Sequence, residues 1–207
     1  MDRILERCKA IPDLRHESEV ITQKIYKYLK KKWRGGFDIL SIKYPIRVEY
    51  WHNYKEVFTK SGIFCYGQAF KNKIQIRIVT DHKLNDYSPS VLFNEIQRIV
   101  IHELRHIYQC RLINGFYNIV QKHGAKQDTA YNIKKYLLSP LEIDAYVVEL
   151  KFMESITGKA FEAVAKKMIK SMAFGCRENK IKVPFKIFKQ VLRDWTAHEV
   201  RLRSSYS

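Results

Sequence analysis

The sequence predicts an α+β protein, and three observations carry that reading. A helical period precedes residue 35, alternating β-branched and aromatic runs fill 37–80, and from Ser88 onward the chain returns to helical patterning. The expected order is an N-terminal helix, a small, mostly antiparallel sheet of three or four strands, a buried helix, a second helix rich in carboxylates, and further C-terminal helices.

The first helix is expected over 14–34, where Val20, Ile21, Ile25, Tyr28 and Leu29 recur at helical spacing and Gly35-Gly36 supplies a stop. Its last residues, Lys30-Lys31-Lys32-Trp33-Arg34, suit the negative end of a helix dipole or, alternatively, a phosphate. Strands are expected at 37–43, 45–51, 63–70 and 73–80. In the last of these, Ile74, Ile76 and Ile78 face one way and Gln75 and Arg77 the other. The junction at Asn72-Lys73 predicts a tight hairpin.

Ser88-Pro89 reads as an N-cap followed by proline at the first helical position, and the helix runs to about Ile113, before Asn114-Gly115. Leu92, Phe93, Ile96, Ile99, Val100, Ile101, Leu104 and Ile107 make it apolar almost all round, so it is expected in the centre of the fold. A polar stretch at 121–130 reads as loose. Ser139-Pro140 opens the next helix, which closes before Gly158, and two more patterns occupy 159–173 and 185–203.

Composition narrows the function classes. Hydrophobic residues are 46% of the 207, enough for a sizeable core. No run approaches the roughly 20 apolar residues that span a bilayer, so no membrane is expected as a partner. The start, MDRILERCKA, has no apolar segment of a secretory signal. Cys8, Cys65, Cys110 and Cys176 are scattered without a CxxC, which disfavours both a disulfide scaffold and a zinc ribbon and makes a reducing, cytoplasmic setting the default. Net charge is +17. Residues 1–90 carry 18 basic and 10 acidic side chains, 91–150 carry 7 and 6, and 151–207 carry 13 and 5, so two basic flanks enclose a nearly neutral middle. Basic flanks are expected to attract a polyanion such as nucleic acid, or simply to solvate helix faces.

The neutral middle holds the chemistry. His102-Glu103-Leu104-Arg105-His106 is an HExxH sequence inside the apolar helix. Residues four apart share a helix face, so both imidazoles can meet one tetrahedral Zn2+ ion, while Glu103 is placed to act as general base on a water. Satisfied core histidines are the competing reading, although burying polar rings without partners is costly. A third ligand is needed. Cys110 shares the face, but residues 102 and 110 are about 12 Å apart along a helix axis, too far for one ion. Glu142, in Ser139-Pro140-Leu141-Glu142-Ile143-Asp144-Ala145-Tyr146, is the candidate ligand from another element. Ser139-x-x-Glu142 is also a capping box, in which Glu142 serves the helix start, but the small Ala145 permits the close approach of two helices that the ligand role needs. Asp144 and Glu149 are candidates to support the histidines, or ordinary polar residues of the helix.

HELRH followed by SPLEIDAY resembles the gluzincin pattern of HExxH and a glutamate helix. The order of the preceding helix and sheet is similar to compact minigluzincin and SprT-like metallopeptidase domains, over roughly residues 15–157. The resemblance implies His102, His106 and Glu142 as metal ligands, Glu103 as catalytic base, and an edge strand within 63–80 that pairs with an extended peptide substrate. Tyr146 stands where many relatives carry an acidic residue. Small phage-encoded proteins of this kind suggest a host cytoplasm or virion as the setting. The domain reading is a zincin-like metallopeptidase domain at 1–157 and a basic helical extension at 158–207 packed on it.

The leading functional expectation is a zinc-dependent endopeptidase acting on a protein or peptide. A second is a basic nucleic-acid-binding or virion-associated protein that keeps the fold without needing proteolysis. A third is a closed structural metal site, with Cys110 or His123 as fourth ligand. His123, His198, Tyr131, Tyr136 and Tyr146 are candidates to stabilise an oxyanion.

Overall fold

The computed structural model describes residues 2–30, 35–40, 45–51, 63–70, 73–83, 86–114 and 129–204. It is α+β, as the sequence predicts. Two compact units are present, Asp13–Ile107 and Met1–Pro12 with Tyr108–Ser207. The division falls within one continuous helix, so that helix belongs to both.

The unit at Asp13–Ile107 holds α2 (Arg15–Leu29), the strands β1 (Gly35–Leu40), β2 (Pro45–Trp51), β3 (Ile63–Phe70) and β4 (Lys73–Thr80), and most of α3 (Pro89–Leu112). Ile21, Ile25 and Leu29 bury one stripe of α2, while Tyr28 of the same expected stripe is exposed. The predicted end of this helix, 31–34, lies outside the described residues. Gln97 of α3 donates to Ser18 Oγ of α2 at 3.1 Å, and Phe93 meets Tyr26 edge-on, which ties the two helices together.

The sheet order is β1-β2-β4-β3. β1 pairs antiparallel with β2, and β3 antiparallel with β4, whereas β2 and β4 run parallel. Among the described strands β3 therefore stands at an edge, and the register sets Phe70 opposite Lys73; residues 71 and 72 of the predicted hairpin lie outside the described residues. Ile46, Val48 and Tyr50 on β2 and Ile74, Ile76 and Ile78 on β4 are buried on one face. Glu49 accepts from Arg77 and Gln75 on the other. Removing a buried side chain such as Ile76 by mutation to alanine costs about 2–5 kcal/mol in such a core.

The other unit is helical: α1 (Asp2–Cys8), the end of α3, α4 (Ala130–Leu137), α5 (Pro140–Thr157), α6 (Phe161–Glu178) and α7 (Phe185–Arg203). Thr129 caps α4 by accepting from Asn132 N. Proline begins α5, and Gly158, at φ 65°, ends it in the left-handed conformation that favours glycine. Val147 and Leu150 of α5, Val164 and Ala165 of α6, and Val191 and Trp195 of α7 share one core. The segment read as a C-terminal extension thus shares its core with the glutamate helix. Among the described residues, no helix is long and apolar enough to cross a membrane.

Candidate metal centre

Helix α3 carries five buried polar residues along its second half and near its middle: Gln97, His102, Glu103, Arg105 and Gln109. Polar groups are retained at such depth when they are satisfied or used. His102 and His106 are one turn apart, and their Nε2 atoms lie 3.2 Å from each other. Two nitrogens bound to one tetrahedral zinc at about 2.0–2.1 Å would be about 3.3–3.4 Å apart. The pair is therefore already spaced as one edge of such a tetrahedron. His102, His106 and Glu142 each offer a ligand atom, and these atoms all lie within 4.8 Å of one another. Among the described residues this is the His/Cys/Asp/Glu group able to hold a metal, and two imidazoles with one carboxylate are a donor set that suits zinc.

The competing role for Glu142 depends on Ser139. Ser139 occupies the N-cap position of α5, yet its side chain makes no capping hydrogen bond. Its backbone N–H is given to Tyr136 O at 3.0 Å, because α4 runs directly into α5. Neither half of a capping box is thereby formed.

Gln109, fully buried on α3, brackets Glu142. Its Nε2 donates to Leu141 O at 3.0 Å and to Asp144 Oδ2 at 2.8 Å, one residue before Glu142 and two after it. The second oxygen of Asp144 meets His198 Nε2 of α7 at 2.8 Å. This pair is almost wholly out of water, at 1% and 0% side-chain exposure, so Asp144 and His198 form a structural link between α5 and α7. Replacing Gln109 with leucine should loosen the grip of α3 on the start of α5. Zinc affinity, measured by competition with a chromophoric chelator, should fall about 10-fold, the low end for residues that orient ligands. Unchanged affinity would show that α5 is placed by its core contacts alone.

Glu103 is 4% exposed and packs under β3. A methyl group on Gly67 would lie 2.3 Å from Glu103 Cγ and 2.6 Å from its Oε1, so the absent side chain of Gly67 is the space that Glu103 occupies. The same strand face buries Cys65, whose thiol is pushed up to about 12 by burial and then by the charge of Glu95. That thiol stays protonated and is a poor metal ligand or nucleophile at neutral pH.

The remaining sequence candidates are dispersed. His198 is buried against Asp144, and Tyr131 is exposed on α4. Tyr146 stacks on Trp195 at 4.9 Å and meets Tyr136 edge-on. His123 lies outside the described residues. Gln109 and Gly67 were not singled out by the sequence reading, although a glycine inside a strand is a signal of close approach.

No family model matches the chain, and neither the comparison with curated proteins nor that with solved structures finds a match.

Proposed function

We propose that the protein is a zinc-dependent endopeptidase of the gluzincin kind. The observation that carries this reading is the convergence of His102, His106 and Glu142, with the buried carboxylate of Glu103 on the same helix as the histidines. A site built only to hold a metal has no need of Glu103.

His102, His106 and Glu142 would hold the ion. When bound, zinc polarises a carbonyl and lowers the pKa of its water toward about 7. Glu103 takes the proton of the attacking water and delivers it to the leaving amine, which balances the hydrolysis without another acid. Gly67 leaves the Glu103 side chain its room beneath β3. β3 has a strand neighbour on one side only in the described sheet, and its free edge suits an extended peptide, added as a further strand.

The test is a peptide library incubated with the purified, zinc-loaded chain. New peptide termini should appear, vanish with a chelator and return with added zinc. A fully zinc-loaded protein that leaves every peptide intact would oppose the proposal.

A further inference from the structure

We propose that the turn end of the α6–α7 helix pair is a binding surface for single-stranded nucleic acid. Over residues 166–189 the chain carries eight basic side chains and one acidic, Glu178. Lys166 is paired with Glu162. Lys180, Lys182, Lys186 and Lys189 are exposed and enter no ion pair among the described residues. Cations outside any ion pair on one short stretch are the electrostatic footprint of a polyanion.

Two aromatic rings stand among these charges. Phe185, the first residue of α7, is 69% exposed, and Phe174, one turn from the end of α6, is 42% exposed. Lys189 lies over the Phe185 ring at 5.3 Å and Arg177 over Phe174 at 5.9 Å. Exposed rings interleaved with cations can stack on unpaired bases while the cations follow the phosphates. A duplex offers no open base faces to such rings.

The backbone adds an independent observation. Lys180 sits at φ 58°, in the left-handed region that glycine adopts freely. Ile181 N donates to Cys176 O at 2.8 Å, closing a C-terminal helix motif whose left-handed position is usually glycine. Lysine stands where glycine would be easier, and its side chain is exposed between α6 and α7.

A membrane surface fits less well. Helices that lie in a bilayer need a broad free apolar face. Phe161 and Ile169 of α6 and Phe188 and Trp195 of α7 are already buried in the core of their own unit, and the exposed rings Phe174 and Phe185 stand among cations. The inference is independent of the metal centre, and either can fail without the other.

The test is fluorescence anisotropy of the whole chain with a labelled thymidine strand of about 15 nucleotides. Affinity should fall with salt, with a log–log slope of about −0.7 per phosphate neutralised. Phe185→Ala should weaken binding roughly 5- to 150-fold, the range for one stacked base. Lys180→Gly should melt no lower than wild type and yet flatten the salt slope by about 0.7. The triple change Lys182→Glu, Lys186→Glu, Lys189→Glu should abolish binding. The proposal is overturned if that triple variant binds like wild type. It is overturned as well if duplex of the same length binds as tightly with Phe185→Ala neutral. Phosphatidylserine vesicles or polyglutamate competing as well as the strand would reassign the surface to another partner.

Discussion

Exchanging His106 for alanine should empty the metal centre and remove the stability that the metal lends the fold. A ligand held only by the folded state contributes about 4 kcal/mol when its free concentration is about 1,000 times its Kd. For a chain of this size, a loss of that order lowers the melting temperature by roughly 10 °C. Wild type should carry one zinc per chain, and His106→Ala none, melting like wild type stripped with a chelator. Glu142→Gln should behave in the same direction, because a neutral amide is a much poorer partner for zinc than a carboxylate. Ser139→Ala is the control: the Ser139 side chain makes no capping bond, so zinc should stay in place. Full zinc occupancy in His106→Ala, measured by elemental analysis, would end the metal assignment.

Gly67→Ala should separate metal binding from catalysis. The new methyl would fall 2.3 Å from Glu103 Cγ, inside any tolerable contact, and the carboxylate must swing away from its place. Zinc content should stay at wild-type level while turnover falls about 10²–10⁴-fold, the contribution of a positioned general base. The double variant with Glu103→Gln should be no slower than Glu103→Gln alone, since both remove the same group. A Gly67→Ala protein as active as wild type would mean that Glu103 works elsewhere than where it packs.

Much of the fold was legible in the sequence because the signals were long or punctuated. α3 announces itself through Ser88-Pro89 and apolar residues that recur from Leu92 to Ile107, over about four turns, and α5 through Ser139-Pro140 and Gly158. α1 and α4 were not read, since seven and eight residues are too short to display a helical period. That omission had a consequence at the site. The Ser139-x-x-Glu142 capping box looks open in sequence, but the N–H it needs is used by Tyr136 of α4. The parallel pairing of β2 with β4 was equally invisible, because a half-buried strand alternates in the same way whichever direction its neighbour runs. The link from Gln109 through Asp144 to His198 joins residues 35 and 54 positions apart, and no local spacing encodes it. HExxH was readable for the opposite reason: one helical turn places both histidines.

Peptide hydrolysis by zinc-loaded wild type and zinc-loaded Glu103→Gln, followed side by side by mass spectrometry of one library, tests the central claim most directly. The account predicts cleavage by wild type and a loss of about 10²–10⁴-fold in rate for Glu103→Gln at equal zinc content. Equal rates for the two proteins, or no cleavage by a wild type holding one zinc per chain, would contradict it.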